Sequence, residues 1–411
     1  MTYHDRLLVL ILGLCLTGTA AFAETDVAVG GIRMERQGNV PGFPGDVEDS
    51  LEAKVPAAES DEKSVEKGDA ESDEEKDHKG GIETIIAPIP SRSPLLGWTL
   101  SVPAMLLYRP PGSDPANQVW VSGVFGFYAE NDSWGGGLIQ RMSFGGDAWR
   151  VKAALFHADM NYDYYGIGGD GDGRAIPLSQ PIDVLSAEAL RRTIPNLYIG
   201  LKAVYSDTEV GLDIPGNQLP PGITPDNLKV NFILATLNPR LQYDTRDSEF
   251  YPRNGFFIDV NVPISREEIG SDLDYEKIEV AANNYYQVND ADVLATRIAI
   301  QYVDDNAPFF MYPAFGQGAD LRGYQTGTYR DRFLFATQAE YRHRFSPRIG
   351  AVAFVGVGTV SEKFGEWNKT LASYGAGFRF VLAQKNDVSM RFDIARGRDE
   401  TIYYVGIGEA F

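Results

Sequence analysis

The sequence predicts an all-β fold, a sixteen-stranded antiparallel transmembrane β-barrel over residues 82–411. Two observations predict it: segments with alternating apolar and polar residues recur along this range, and the much longer connections, 161–181, 207–228 and 304–332, all follow odd segments. In outer-membrane barrels the periplasmic turns are tight, the outer loops are longer, and each strand has a lipid face and a lumen face. A soluble β-sandwich also alternates, but its connections are not sorted in this way.

The predicted strands follow in chain order. They lie near residues 82–90, 96–108, 117–129, 132–144, 148–160, 182–193, 196–206, 229–245, 254–265, 274–287, 292–303, 333–345, 347–360, 371–383, 386–397 and 401–411. With a periplasmic N-terminus, the long connections 161–181, 207–228 and 304–332 fall outside. The aromatic residues Tyr403 and Phe411 belong to the closing strand, and Phe411 is expected to end it.

Charge is confined to one face of the predicted strands. In segment 333–345 one parity carries Phe333, Phe335, Thr337, Ala339, Tyr341, His343 and Phe345, and the other carries Leu334, Ala336, Gln338, Glu340, Arg342 and Arg344. In segment 388–394, Ser389, Arg391 and Asp393 oppose Val388, Met390, Phe392 and Ile394. Successive side chains of a strand point to opposite faces, so the charged sets are expected to face the lumen.

The N-terminus reads as a secretory signal peptide over residues 1–23. Arg6 precedes an apolar run that is too short to span a membrane, and Ala21-Phe22-Ala23 is a small-residue cleavage pattern. Cys15, the only cysteine, lies inside this run, so the mature chain is expected to have none. Export without a later apolar stop leaves the bacterial outer membrane as the destination and its lipids as a partner.

Residues 24–81 are predicted to form a disordered acidic periplasmic linker. Of the chain's formal charge of -20, a net -9 falls between Asp46 and Lys79, where fourteen Asp and Glu face five Lys. Such a segment buries too little apolar surface to offset its conformational entropy. A solvated spacer and an acidic tail for a basic partner are both open, whereas the acidic balance argues against nucleic acid.

Two motifs stand in connections of the predicted barrel. Asp244, Arg246 and Asp247, followed by Pro252 and Gly255, occupy a tight periplasmic turn, and the longest outer loop carries Leu321, Arg322, Gly323 and Tyr324. In order and placement, this combination resembles the bacterial surface-antigen barrel of the BamA/TamA outer-membrane insertase family. The resemblance covers residues 82–411 and implies that the loop with Arg322 folds into the lumen, where its arginine pairs with acidic residues of the wall.

The lumen parity suggests which acidic residues those are. A guanidinium in a partly desolvated lumen needs carboxylates, and Glu340 and Asp393 both lie on the lumen face near the end of the barrel. We therefore expect them to be the partners of Arg322. Gly323 allows a sharp turn beside the wall, against which Tyr324 is expected to pack.

The chain departs from the family pattern in two places. The family often carries an acidic residue in the strand after that of Glu340, where this chain reads Phe354-Val355-Gly356-Val357-Gly358, so one expected anchor is missing. Insertases also carry periplasmic polypeptide-transport domains before the barrel, whereas only the acidic linker fits between Glu24 and Gly81. Assembly activity therefore does not transfer from the family automatically.

The resemblance implies a barrel that assists insertion or translocation of proteins or lipid-linked material, alone or with other outer-membrane or periplasmic proteins. The alternative is a passive diffusion channel or structural protein. No enzyme, cofactor or metal is predicted: both barrel histidines, His157 and His343, fall on the lipid face, and no serine has a lumen-facing histidine beside it. Asp170 and Asp172 in a glycine-rich loop lack the spacing of a calcium site.

Overall fold

The structure is a computed structural model that describes residues 28–33, 82–93, 96–164, 176–212, 229–307, 311–316, 320–324, 329–398 and 401–411. These residues form nineteen strands and one turn of 3-10 helix, Glu267–Ile269. The strands are β1 (Ala28–Arg33), β2 (Glu83–Ile86), β3 (Ile89–Ser93), β4 (Gly97–Tyr108), β5 (Trp120–Ala129), β6 (Trp134–Phe144), β7 (Trp149–Tyr164), β8 (Ile176–Ile194), β9 (Leu197–Leu212), β10 (Val230–Asp244), β11 (Gly255–Asn261), β12 (Ile264–Ser265), β13 (Tyr275–Gln287), β14 (Asp292–Val303), β15 (Phe333–Arg344), β16 (Ile349–Ser361), β17 (Leu371–Ala383), β18 (Val388–Arg396) and β19 (Thr401–Ile407). The predicted signal peptide lies outside the described residues.

All strand pairs are antiparallel, and sequence neighbours lie side by side. β2 and β3 both pair with β4, and from β4 onward each strand pairs with the next, with β11 and β12 together filling one place between β10 and β13. β19 pairs with β18 on one edge and with β1 on the other. The meander that the sequence predicts is therefore present.

The number of strands among the described residues exceeds the predicted sixteen for two reasons. Two predicted segments are each divided in two, 82–90 between β2 and β3 and 254–265 between β11 and β12. Pro88 and Pro263 lie at these interruptions, and proline has no N–H to donate to a strand ladder. The remaining strand, β1, lies in the predicted linker.

The linker prediction is thus wrong for residues 28–33. The charge that argues against folding begins at Asp46, whereas Ala28–Arg33 reads Ala-Val-Gly-Gly-Ile-Arg and has one charged residue. Averaging the composition over residues 24–81 hid this uncharged stretch. The other residues of the predicted linker, up to Gly81, lie outside the described part of the chain.

Side chains of β2 and β3 pack against those of β18 and β19 where the two ends of the sheet meet. Ile85, Ala87 and Ile89 share one apolar cluster with Val388 and Ile407. The backbone N–H of Lys385, in the turn before β18, donates to the Glu83 carboxylate at 2.9 Å. Closure places one face of every strand inside and the other outside.

The outer face carries large exposed apolar side chains, and aromatic residues cluster at strand ends. Leu138, Leu155, Leu185 and Val355 are each more than half exposed. Exposed aromatic residues at strand ends are Trp98, Tyr128 and Trp134 on one rim and Phe144, Trp149, Tyr286 and Phe345 on the other. An apolar band between two aromatic girdles is typical of a membrane barrel. No helix within the described ranges is long and apolar enough to cross a membrane.

Candidate functional site on the inner wall of the barrel

The loop between β14 and β15 turns inward onto the wall. Leu321, Arg322 and Tyr324 are each only 1–2% exposed, although they belong to a connection between strands. Leu321 and Tyr324 pack with Leu334 of β15 and Leu371 of β17. A loop that ran over the outer surface would leave these side chains in water, so the loop is directed into the lumen.

Arg322 joins two strands of the wall through its guanidinium. Its Nη2 donates to Oε2 of Glu340 on β15 at 2.6 Å, and its Nη1 donates to Oδ2 of Asp393 on β18 at 2.8 Å. The side chains of both carboxylates have no exposed surface. The planar fork of arginine can bridge two carboxylates in this way, whereas lysine offers a single point charge.

Two further arginines share these carboxylates. Arg342 donates to Oε1 of Glu340 at 2.8 Å, and Arg379 of β17 donates to Oδ1 of Asp393 at 2.5 Å. Arg379 also donates to Glu409 at 2.6 Å. These three guanidinium groups thus contact three carboxylates directly, and the buried Arg391 of β18 lies close to them. Such contacts matter because an unpaired buried charge costs several kcal/mol. We call the network of Arg322, Glu340, Asp393, Arg342, Arg379 and Glu409 the inner cluster.

Phe354 contacts Arg322 from the strand in which the expected acidic anchor is missing. The Arg322 guanidinium carbon lies 3.4 Å from the centroid of the Phe354 ring on β16, between the strands that carry Glu340 and Arg379. A guanidinium stacked on an aromatic face is attracted by the ring quadrupole. This strand therefore contacts the loop through an aromatic ring instead of a carboxylate.

Gly323 lets the loop backbone touch the end of the barrel wall. Its φ of +102° is one that other residues rarely adopt, and a Cβ there would lie 2.8 Å from the backbone nitrogen of Gly397. The Gly323 N–H donates to the hydroxyl of Tyr404 on β19 at 2.8 Å, and the Tyr324 hydroxyl donates to the Ala372 carbonyl at 2.6 Å. The loop is thus attached to β17 and β19 as well as to β15 and β18.

The end of the chain differs from the prediction for Phe411. β19 contains Tyr403 but ends at Ile407, and Gly408, with φ +85°, turns the chain out of the ladder. The Phe411 main-chain oxygen accepts from Nη2 of Arg342 at 2.8 Å, and Glu409 pairs with Arg379. The last residues therefore join the inner cluster instead of extending the strand, because Gly408 breaks the extended backbone and both arginines lie on the lumen face.

The predicted turn motif forms a separate network between β10 and β11. Asp244 accepts from Arg246 at 2.9 Å and from Arg150 of β7 at 2.8 Å, and Asp247 accepts from the backbone N–H groups of Arg253 and Asn254. Gly255 has φ +107°, with the Thr245 carbonyl where a Cβ would stand. Pro252 is buried beside Tyr251.

Tyr251 connects this turn to β15. The Arg344 guanidinium lies 4.0 Å from its ring centroid, and burial raises the pKa of Tyr251, as does the negative charge of Glu409. Carboxylates that hold a loop and a ring that fills the space behind it are typical of a structural turn. The motif thus shapes one end of the barrel.

Sequence reasoning placed Glu340 and Asp393 beside Arg322 but did not find Phe354, Arg379, Glu409 or Tyr404. Alternation in β17 would have placed Arg379 on the lumen face, and this signal was available. The same alternation in β19 would have placed Tyr404 on the lumen face, opposite Tyr403, whereas Glu409 had no comparable signal because it follows the end of β19 at Ile407. Within the described residues no group of three or more His, Cys, Asp or Glu side chains is arranged to hold a metal ion.

One family profile matches the chain, and solved structures share its fold. The profile of the Omp85 superfamily domain matches residues 143–411, which is more than half of the chain. Among solved structures, BamA from Haemophilus ducreyi lacking POTRA domains 1–3 superposes with a TM-score of 0.53 at 16% identity, covering 80% of this chain and 70% of that one. CdiB from Escherichia coli gives a TM-score of 0.55 at 12% identity, covering 80% of this chain and 62% of that one. No curated protein sequence matches. At these identities the structural matches show a shared barrel fold, and this chain spans less than two thirds of the CdiB chain.

Proposed function

This chain belongs to the Omp85 superfamily and is an outer-membrane β-barrel, and we propose that it assists the insertion or translocation of proteins or lipid-linked material at the outer membrane. The proposal is for a non-enzymatic role carried by the barrel, with outer-membrane lipids and a client polypeptide as partners. Membership of the Omp85 superfamily supports this class of activity, and the inner cluster gives the reason to prefer it to a passive channel.

The observation that carries the proposal is the buried attachment of Arg322 to both Glu340 and Asp393. A diffusion channel needs a lumen open to water, whereas here a loop lies on the inner wall and is attached to β15, β16, β17, β18 and β19. Removal of the loop would leave the buried carboxylates of Glu340 and Asp393 without their partner Arg322. A loop anchored so firmly supports a barrel whose transport route is not a permanent central pore.

The region around Arg322 also supports a positioning role. The loop joins β15 and β18 through charge pairs and contacts β19 through the hydrogen bond that the Gly323 N–H donates to the Tyr404 hydroxyl. Rigid strands on one side of a barrel allow the other side to move without loss of the fold. We propose that the inner cluster keeps this part of the wall rigid while the edge of β19 moves and contacts the client.

The experiment reconstitutes the purified protein into liposomes and adds an unfolded eight-stranded outer-membrane barrel as client. The client's folding rate is measured by its heat-modifiable gel shift. We expect the protein to accelerate client folding above the rate in liposomes holding a passive porin at the same protein-to-lipid ratio. Equal rates would contradict the proposal.

Conductance in planar bilayers distinguishes the proposed function from a passive diffusion channel. The proposal predicts low conductance for the wild-type protein and higher conductance for Arg322→Ala. A wild-type protein that conducts like a wide porin, matched by Arg322→Ala, would favour the passive channel instead.

A further inference from the structure

We infer that residues Ala28–Arg33 form an internal seam strand, which occupies the edge of β19 and must leave that edge before a client strand can pair there. The inference deepens the proposed function, on which it rests for the identity of the displacing strand. It makes the resting barrel self-blocked, with a segment of its own chain as the blocking group.

The backbone pairing is the first support. β1 runs antiparallel to β19, with Ala28 opposite Gly406, Val29 opposite Val405, Ile32 opposite Tyr403 and Arg33 opposite Ile402. β18 holds the other edge of β19 over residues 401–407. Because a strand has only two edges, a client strand cannot pair with β19 at these positions while β1 is present.

The second support is that the edge of β19 needs a pairing partner. An unpaired strand edge leaves N–H and C=O groups without partners, which costs several kcal/mol per group in a bilayer. The described strands β2 and β3 are short, with four and five residues, and both pair with β4. The backbone of β1 lies beside β3, so it fills the place between the last strand and the first.

The pairing of β1 with β19 is also weak enough for a client strand to displace β1. Its register shifts between Val29 and Gly31, and it covers five aligned positions, whereas β15 and β16 align over twelve without a shift. Gly30 and Gly31 contribute no side chain to cross-strand packing and lose more backbone entropy on ordering than other residues. A longer client strand with β-branched or aromatic residues would form more hydrogen bonds and more side-chain contacts.

Covalent connection favours re-pairing after a client leaves. β1 belongs to the same chain as β2, so its return to β19 is an intramolecular step that does not depend on protein concentration. A transient gap at the seam would therefore close again without another molecule. This gives the segment a role as a reversible seal.

Disulfide trapping tests the position of the strand in the full-length protein. In a Cys15→Ala background, cysteine pairs are introduced at the aligned positions, Val29→Cys with Val405→Cys and Ile32→Cys with Tyr403→Cys. The matched control combines Ile32→Cys with Val405→Cys, which lies two residues out of register. Directly opposite cross-strand residues come close enough for a disulfide, whereas residues two positions apart do not.

We expect at least one aligned pair to give an intrachain disulfide in protein taken from the outer membrane, at roughly ten times the yield of the control pair. Equal yields for aligned and control pairs, or no disulfide in either aligned pair, would overturn the seam strand. Neither result depends on a client, so this test stands apart from that of the proposed function.

The second measurement tests displacement. The trapped protein is compared before and after reduction in the client-folding assay, with the control pair treated identically. We expect oxidation of an aligned pair to slow client folding to the unassisted rate and reduction to restore it. A trapped barrel that accelerates client folding as well as its reduced form would overturn the blocking role. If even the wild-type protein gives no acceleration, the proposed function fails, and the blocking role fails with it, while the trapping result still decides whether Ala28–Arg33 is the seam strand.

Discussion

The wall around β15 and the seam at β19 are two parts of one sheet that are built differently. β15 aligns with β16 over twelve residues, and its lumen face carries Glu340 and Arg342 of the inner cluster. β19 has seven residues, and its second edge is held by β1 through a shifted register. Long ladders with buried charge pairs resist opening, whereas short ladders with glycines yield first. The contrast teaches that one barrel can combine a fixed side and a movable side.

Arg322→Ala should have the largest effect, because it removes the group that links β15 and β18 to the loop. We expect a loss of about 3 kcal/mol in the free energy of unfolding, since Glu340 and Asp393 keep Arg342 and Arg379 but lose their shared cation. Urea unfolding in detergent measures it. The control is Arg332→Ala, an outer-loop arginine whose partners Asp305 and Glu362 are exposed, which should cost less than about 1 kcal/mol. Equal losses of unfolding free energy in the two variants would contradict the claim that Arg322 fixes the wall around β15.

Phe354→Leu should have a smaller effect that isolates the aromatic contact. Leucine keeps an apolar side chain on β16 but removes the ring face under the Arg322 guanidinium. We expect a loss of about 2 kcal/mol, as for a desolvated cation–π contact. Double-mutant cycles with Arg322→Lys should show coupling between the two positions. Additive losses would mean that the ring does not act as an anchor for Arg322.

Gly323→Ala should weaken the loop through backbone strain. A Cβ at this position meets the backbone near Gly397, and the positive φ is itself unfavourable for alanine. We expect a loss of roughly 1–2 kcal/mol and higher conductance in planar bilayers. The matched control is Gly112→Ala, also at positive φ but with open space around the added Cβ, which should leave conductance unchanged. A rise in both variants would show that general strain, not the loop contact, opens the lumen.

Deletion of residues 45–79 should have the smallest effect. The charge of this stretch predicts that it buries no apolar core, so we expect the barrel to fold and show the same heat-modifiable gel shift. Loss of the folded barrel in this variant would show that the stretch is structural.

Much of the fixed side could be predicted from the sequence, and little of the seam. Strict alternation in residues 333–345 and 388–394 placed Glu340 and Asp393 on the lumen face, because a one-residue slip would turn every charge toward lipid. At Phe354 the sequence indicated only that an acidic residue is absent from this strand, since a sequence pattern shows charge but not the stacking of a ring under a cation. β1 escaped notice because six weakly charged residues were averaged with a strongly charged segment. Phe411 was assigned to a strand because the turn at Gly408 depends on tertiary contacts with Arg342 and Arg379.

Amide hydrogen exchange on the intact protein in liposomes tests the contrast between the two sides most directly. We expect amides of β19 and β1 to exchange well before those of β15 and β16. Arg322→Ala should speed exchange in β15 and β16 and leave the earlier exchange of β1 and β19 unchanged. Uniform protection around the barrel in the wild-type protein, or earlier exchange in β15 than in β19, would contradict a fixed wall facing a movable seam.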